Sequence, residues 1–243
     1  MSRIVIPFRS PKVQLFLLVS AVFVVFILFR TDLNNSANNF FAAQRDNLNG
    51  FVLQRPNNVS SAEESLFVGF NNVTGAGKFI VPNIIHFIRY NKFELNFIDY
   101  VVLLAAMLNH KPEQFYFHTN IPNANFTGKY WEMVMSNSEL ASRIKVLHLE
   151  APTEIFGQPL STGWRFHHGS DIGRIRVLMK YGGIYLDNDV YVINPLDKYR
   201  KYEFVINWDE NQFMGTQVIV AHKDARFLSE WLDCYKVYRS DLW

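Results

Sequence analysis

The sequence predicts an α/β domain, with a mostly parallel sheet and helices on both faces, behind an N-terminal transmembrane helix. Three observations carry this prediction. An uncharged apolar run extends from Val13 to Phe29, strand-like and helix-like segments alternate after residue 79, and 49% of the 243 residues are apolar. Alternating strands and helices are typical of parallel sheets, because parallel strands need a crossover connection.

The apolar run has about 17 residues, close to the lower limit for a helix that spans a bilayer. Three cations precede it: Arg3, Arg9 and Lys12. This charge distribution favours a cytosolic N-terminus with the rest of the chain in a lumen. We therefore predict a cytosolic tail at residues 1–12 and a type II signal anchor at residues 13–29. A cleaved signal peptide is the alternative, but its apolar region is usually only about 7–15 residues long.

Residues 30–78 are rich in asparagine and serine and show no sustained periodicity, which predicts a flexible lumenal stem. Glycosylation sequons begin at Asn34, Asn58 and Asn72 in this stretch, and another begins at Asn125. The catalytic domain is predicted to occupy residues 79–243. The formal net charge of the whole chain is only +2, which gives little support for a nucleic-acid partner.

Apolar patterning places the elements of this domain. Strands are predicted within residues 79–88 and at 114–118, 144–149, 184–186, 204–207 and 217–221. Helices are predicted at residues 97–108, 170–181 and 225–235. The single cysteine, Cys234, cannot form an intramolecular disulfide and is expected to be a buried free thiol.

The segment that carries chemistry reads SDIGRIRVLMKYGGIYLDNDVYVINPL over residues 170–196. Ser170 is predicted to cap a helix, with Asp171 in its first turn. Gly182 and Gly183 are predicted to end the helix, because glycine tolerates the left-handed conformation that follows a C-terminus. A short strand then leads into Asp187.

Element lengths bring the two ends of this segment together. The helix is about 18 Å long, and a strand extended to residue 189 returns about 20 Å. Asp171 and Arg174, spaced i, i+3, are therefore predicted to approach Asp187 and Asp189, which would share one face of the strand. Ligands of α/β folds bind at this edge of the sheet.

Clustered carboxylates suit a hard divalent cation, which can neutralise a diphosphate leaving group as a bond to a sugar breaks. A D-x-D tripeptide alone is a weak signal, since acidic loop residues commonly follow strands. The preceding S-D-x-x-R and G-G-x-Y-L segments make it specific. The segment lacks the glycine and glutamate of an EF-hand, and the sequence contains no Walker A or dinucleotide motif.

This segment resembles the DXD-containing sugar-binding glycosyltransferases, the family of Golgi α-1,6-mannosyltransferases and of the α-1,4-galactosyltransferases acting on lactosylceramide. It is also similar to the catalytic core of the glucosylating clostridial toxins. The resemblance covers roughly residues 79–235. It includes an opening strand, Ile80 to His86, that looks like the family's Ile-Pro-Lys-Ile-Ile-His segment, and Asn194-Pro195-Leu196 after the acidic tripeptide.

The resemblance implies a Rossmann-like domain, a UDP- or GDP-hexose donor, Mn²⁺ (or Mg²⁺), a glycan or glycolipid acceptor, and retention of anomeric configuration. It also implies a lumenal catalytic domain on the Golgi membrane. By matching motif positions, Asp189 would ligate the metal, and Asp187 would contact the ribose or donor sugar and help to order the metal. Asp171 and Arg174 would hold sugar hydroxyls, and Tyr185 would line the donor pocket.

The sequence departs from the family pattern in two ways. Arg89 stands where the family usually has a tryptophan beside the nucleotide base, with Tyr90 as a substitute for stacking. The family also continues well past the equivalent of Trp243, so we expect this domain to lack a C-terminal part. Two other functions stay open on the sequence alone: a non-catalytic lumenal protein that retains the fold, and a metal-dependent phosphotransferase or phosphatase.

Three further residues have two interpretations each. His86 is predicted to be a core histidine rather than a catalytic one. Trp164 and Trp208 are candidates for contact with an acceptor sugar, although packing is the commoner role of tryptophan.

Overall fold

A computed structural model describes residues 71, 73–121, 126–208 and 214–241. Eight strands are found in these ranges: β1 (Ile84–Ile88), β2 (Gln114–Thr119), β3 (Ile144–His148), β4 (Glu154–Ile155), β5 (Gln158–Pro159), β6 (Gly183–Leu186), β7 (Phe204–Asn207) and β8 (Gly215–Ala221). The helices are α1 (Phe97–Asn109), α2 (Lys129–Ser136), α3 (Ser138–Ala141), α4 (Arg165–Tyr181) and α5 (Arg226–Cys234), with 3₁₀ turns at Asp197–Lys201 and Tyr235–Val237.

Six of these strands form one sheet in the order β3-β2-β1-β6-β8-β7. The pairs β3–β2, β2–β1 and β1–β6 are parallel, whereas β8 is antiparallel to both of its neighbours. The mostly parallel α/β sheet predicted from the sequence is therefore confirmed. The chain first builds outward from β1 through β2 to β3 and then returns to place β6 on the other side of β1. The sheet therefore has a topological switch point between the neighbouring strands β1 and β6.

Alternate side chains of the central strands enter two separate apolar cores. Ile85 and Phe87 of β1 pack on the side of α1 and α2, whereas Ile88 packs on the side of α4 and α5. In β6, Leu186 faces the first core and Tyr185 the second. Both faces of the sheet are consequently covered by helices, as predicted.

Three local features differ from the sequence prediction. Helices α2 and α3 and the β4–β5 hairpin were not anticipated, because each is too short to show a periodic pattern. Cys234, expected to be buried, is exposed near the C-terminus of α5. The apolar side of α5 is formed instead by residues such as Leu228, which is fully buried.

The last residues of the predicted stem contact the folded domain. Ala76 N donates to the Lys201 carbonyl at 2.8 Å, and the Tyr202 hydroxyl donates to the Val73 carbonyl at 2.9 Å. In the part of the chain that the structure describes, no helix has the length and apolar character needed to cross a bilayer. The predicted anchor at residues 13–29 lies outside that part, so the anchor and most of the stem stay predictions.

A buried pair of histidines links β1 and β2 to the end of α4. His86 Nε2 lies 2.7 Å from the Gly182 carbonyl, and His86 Nδ1 lies 2.9 Å from His118 Nε2. A carbonyl can only accept, so neutral His86 carries its proton on Nε2, and His118 Nε2 is then the donor to His86 Nδ1. The prediction that His86 is a satisfied core residue rather than a free catalytic base fits this geometry.

Both histidines resist protonation in the folded protein. Burial lowers the pKa of His86 to about 4, against the bond to Gly182, which raises it. Burial also lowers the pKa of His118 to about 3, with smaller contributions from His86 and Lys180. In the unfolded chain both rings titrate near 6.5. Between these values the unfolded chain binds more protons, so stability rises with pH.

We expect the free energy of unfolding to have its full value above pH 6.5 and to fall by about 3 kcal/mol for each of the two rings as pH drops to 4. Urea unfolding at a series of pH values measures this. His118→Gln, whose amide nitrogen can still donate to His86, should flatten the slope. The matched variant His148→Gln alters an exposed histidine and should leave it unchanged. Equal slopes for all three proteins would contradict the assignment.

Candidate functional site

A cleft of about 520 Å³ opens at the carboxyl ends of β1 and β6, at the topological switch point. This is within the usual range of about 300–1,000 Å³ for small-molecule sites. The walls come from the end of β1, the first turn of α1, the first half of α4, the segment after β6, and β8. The cleft is lined by all five predicted site residues: Asp171, Arg174, Tyr185, Asp187 and Asp189.

The two glycines between α4 and β6 set the direction of approach. Gly182 has φ +63° and donates its N–H to the Leu178 carbonyl at 2.8 Å, which ends the helix as predicted. Gly183 has φ +115°, and a Cβ there would lie 2.7 Å from His86 Nε2. Only glycine allows this close turn, which sends β6 back beside β1 towards the cleft.

Helix α4 begins at Arg165, five residues before the predicted cap. Ser170 is therefore not an N-cap; its hydroxyl donates to the Phe166 carbonyl at 2.7 Å from inside the helix. Tertiary contacts extend the helix upstream, because His168 is buried and bonds to the Tyr238 hydroxyl at 2.6 Å. Asp171 consequently lies beyond the first turn, where the helix dipole has little effect.

The acidic tripeptide forms a turn instead of continuing the strand. Strand β6 ends at Leu186, and Val190 N donates to the Asp187 carbonyl at 3.1 Å. The predicted strand face shared by Asp187 and Asp189 was therefore wrong. We call residues 187–190 the motif turn. Its first residue is half-buried and its third is exposed, so the two carboxylates have different environments.

Arg174 joins the two halves of the predicted site. Its Nη2 lies 2.8 Å from Asp171 Oδ1 and 3.4 Å from Asp187 Oδ1, and its Nη1 donates to the Thr216 carbonyl at 2.9 Å and to the Thr216 hydroxyl. The guanidinium thus contacts α4, the segment after β6, and β8. The predicted approach of Asp171 and Arg174 to Asp187 is observed.

Tyr185 contacts both Arg174 and Asp187. The guanidinium carbon of Arg174 lies 4.8 Å from the centre of the Tyr185 ring, and the Tyr185 hydroxyl donates to Asp187 Oδ1 at 2.7 Å. Burial raises the pKa of Tyr185 well above 10, so the hydroxyl keeps its proton. Burial alone would lower the pKa of Arg174, but Tyr185, Asp171 and Asp187 raise it, so the guanidinium stays charged.

The carboxylate of Asp189 is in a different position. It lines the cleft and is exposed, and no described residue bonds to it. Among the described residues, no group of three or more His, Cys, Asp or Glu side chains could hold a metal ion alone. These residues still fit Mg²⁺ or Mn²⁺, because such ions often take one or two carboxylates and complete their shell with water and substrate phosphates.

Sequence reasoning missed three polar residues at the cleft. Arg89 is buried beside β1, where it pairs with Asp99 of α1, and it also donates to Asn188 of the motif turn. On the sequence alone, Arg89 is visible only as a departure from the family's tryptophan. A signal was present, since Asn96 and Asp99 at i, i+3 before an apolar run form a recognisable capping pattern.

Comparisons with known proteins show what the part of the chain around this site resembles. Residues 113–206 match the family described as "Glycosyltransferase sugar-binding region containing DXD motif". That range contains Asp171, Arg174, Tyr185, Asp187 and Asp189. The chain is also 25% identical over 183 residues to glucan organizing enzyme 1 of Cryptococcus neoformans var. grubii, covering 68% of this chain and 46% of that relative. The chain therefore spans about half the length of this relative.

Two solved structures show a partial likeness to this chain. PaToxG glycosyltransferase gives a TM-score of 0.47 at 13% identity, covering 75% of this chain and 72% of that structure. Galactosyltransferase LgtC, solved with donor and acceptor sugar analogues, gives a TM-score of 0.40 at 16% identity, covering 65% and 68%.

The family match confirms the resemblance on which the sequence prediction rests. Residues 113–206 are similar to the sugar-binding region of the DXD-motif glycosyltransferases. Proteins of this family generally bind a divalent metal.

Proposed function

We propose that this protein is a metal-dependent glycosyltransferase that moves the hexose of a UDP- or GDP-hexose to a glycan or glycolipid acceptor, with retention. The observation that carries the proposal is the pairing of an arginine-bound Asp187 with an exposed Asp189 at a switch-point cleft. Mn²⁺ or Mg²⁺ is the proposed cofactor. The proposed location is the Golgi membrane, with residues 13–29 as anchor and the cleft in the lumen.

The charges in the cleft divide into two groups. Arg174 compensates Asp171 and Asp187, and this cluster has directional polar atoms suited to sugar or ribose hydroxyls. Asp189 has no compensating partner among the described residues. When bound there, a divalent cation would supply charge neutralisation to the diphosphate that leaves the sugar. Only oxygen ligands are needed for that task, and they are what the motif turn offers.

The protein's own residues then have separate roles in the proposed reaction. Tyr185 fixes Asp187 through its hydroxyl, and Arg174 fixes Asp171, so both carboxylates present a set geometry to hydroxyl groups. Geometry held before binding lowers the barrier, because less ordering is required at the transition state. We assign no catalytic nucleophile or base.

The test of this proposal is direct. The purified 243-residue chain, in detergent, would be incubated with a panel of UDP- and GDP-hexoses and Mn²⁺, while sugar release and nucleotide binding are measured. Turnover or slow hydrolysis of one donor supports the proposal. Binding without turnover would indicate a non-catalytic protein that retains the fold. Phosphate release from simple phosphoesters without nucleotide-sugar binding would overturn the proposal.

An acceptor contact is proposed at the N-terminus of α4. Trp164, the residue before the helix, is 59% exposed, and its ring lies 5.1 Å, centre to centre, from the ring of His167. His167 lines the cleft. The indole therefore offers an apolar face beside the donor site, and a sugar ring can stack on such a face. Trp208 is also exposed, and neither tryptophan lines the cleft itself.

Replacing Trp164 with alanine is expected to raise the KM for the acceptor by about 5- to 10-fold, since an aromatic contact contributes about 1 kcal/mol. Donor hydrolysis in the absence of acceptor should be unchanged. Phe79→Ala removes another half-exposed aromatic ring, outside the cleft, and serves as the control. An equal rise of KM in both variants would count against the acceptor contact.

A further inference from the structure

Arg89 is held in one orientation by a buried ion pair. The residue follows β1, lines the cleft and is only 3% exposed. Its two terminal nitrogens donate to both carboxylate oxygens of Asp99, and Nη2 also donates to the Glu94 carbonyl at 3.0 Å. A bidentate pair of this kind fixes the plane of the guanidinium. If Arg89 left the cleft wall, this buried ion pair would break and leave the Asp99 carboxylate without its partner, which is strongly unfavourable.

Asp99 is in turn fixed by the start of α1. Its Oδ2 accepts the Asn96 N–H at 2.7 Å, and the Asn96 side chain accepts the Asp99 N–H at 3.0 Å. This reciprocal capping box belongs to a 13-residue helix packed on the sheet. The carboxylate that orients Arg89 is therefore part of a rigid helix end.

Asn188, the second residue of the motif turn, bonds to this network through both the oxygen and the nitrogen of its side-chain amide. Asn188 Nδ2 donates to the Ile88 carbonyl at 2.9 Å, and Asn188 Oδ1 accepts from Arg89 Nη1 at 3.4 Å. The Asn188 side chain is thus bound to the end of β1. Asp187 and Asp189 are the residues on either side of this anchor.

The buried Nε atom of Arg89 indicates that this side chain has a role besides packing. Its Nε has no hydrogen-bond partner among the described residues. A buried donor without a partner loses its hydrogen bond to water and is therefore unfavourable. Such costs are usually tolerated where the group has another task. The other guanidinium nitrogens are already engaged by Asp99, Glu94 and Asn188, so little of the group is available to a nucleotide base.

We infer that Arg89 is a positioning residue, which holds the motif turn through Asn188 so that the carboxylates of Asp187 and Asp189 are set for the cation of a nucleotide diphosphate. The inference rests on the proposed function and deepens it. In the resembled family a tryptophan usually stands at this position beside the base. Here the position serves the other end of the ligand, because its side chain reaches the acidic turn.

The variant Asn188→Ala tests this without disturbing the Arg89–Asp99 pair. Mn²⁺ affinity would be measured in the presence of UDP, and separately of GDP, from the electron paramagnetic resonance signal of free Mn²⁺. We expect it to be about 10- to 100-fold weaker than in the wild type with whichever nucleotide the wild type binds, as for other residues that orient metal ligands. The thermal midpoint should stay near that of the wild type.

The matched control is Asn83→Ala. Asn83 Nδ2 donates to the Lys111 carbonyl at 3.2 Å, which is the same kind of bond, before β1 at the opposite edge of the sheet. Mn²⁺ affinity should be unchanged in this variant. Arg89→Lys keeps a charge for Asp99 but cannot also bond to Asn188. It should weaken Mn²⁺ binding, and adding Asn188→Ala to it should weaken binding little further.

The outcomes separate the two levels of the proposal. If the wild type binds Mn²⁺ with a nucleotide and Asn188→Ala binds it equally well, the positioning role is overturned while the proposed function stands. Additive losses in the double variant would likewise exclude action through Asn188. If the wild type binds Mn²⁺ with neither nucleotide, the proposed function fails and this inference fails with it.

Discussion

Replacing Asp189 with asparagine is expected to reduce Mn²⁺-dependent turnover of the donor by at least about 100-fold. Changes to residues that only orient metal ligands already cost about 10–100-fold, and a proposed direct ligand should cost more. The fold should not change, because the side chain is exposed and no described residue bonds to it. Initial rates with the active donor at several Mn²⁺ concentrations would measure the effect.

A matched variant distinguishes the loss of a metal ligand from the loss of one negative charge at the surface. Asp224→Asn removes one exposed carboxylate outside the cleft and should leave turnover as it is. Thermal melting of both variants should match that of the wild type within the change usual for surface substitutions, about 0.5 kcal/mol. If Asp189→Asn keeps full Mn²⁺-dependent turnover, the carboxylate is not a ligand.

Replacing Arg174 with methionine is expected to lower stability by about 3–5 kcal/mol, because it leaves two partly buried carboxylates without their cation. The guanidinium is only 5% exposed and makes further bonds to Thr216, which would also be lost. Donor binding should fall in the same variant. Urea unfolding at pH 7 measures the first effect, and nucleotide-sugar titration at low temperature measures the second.

Added Mn²⁺ should recover part of that stability, since a cation beside Asp187 replaces some of the missing charge. The control is Arg239→Met, whose ion pair with Asp241 is more than 60% exposed on both sides. Exposed pairs contribute little, so its unfolding midpoint should not move. An unchanged midpoint in Arg174→Met would show that the cluster is not a structural element.

The layout of the site could be predicted because it depends on lengths and on glycine. A helix, a two-glycine turn and a returning strand must bring residues 171–174 and 187 to the same edge of the sheet, whatever packs around them. The same reasoning gave the bounds of α1 and β7 within one residue of those observed. Periodicity and backbone freedom are local properties that the sequence displays directly.

What could not be predicted depends on partners distant in sequence. The early start of α4 requires the contact between His168 and Tyr238, 70 residues apart. The end of β6 at Leu186 depends on where its pairing with β8 stops. The link from Arg89 to Asn188 spans 99 residues, and no local pattern relates the two residues. Such contacts override local propensity without leaving a local signal.

Asp189 is exposed, whereas the neighbouring Arg174 cluster is buried. Selection for a stable fold therefore acts on Arg174, and selection for activity acts on Asp189. Most changes at Arg174 would be removed by loss of the folded protein, whether or not its activity matters. A change at Asp189 should cost no folding energy, so only demand for the proposed reaction would preserve it. A lineage that stopped transferring sugar would be expected to lose the last aspartate of the motif first, while the sheet and the arginine cluster persist. The fold alone is therefore a weaker mark of activity than this one side chain.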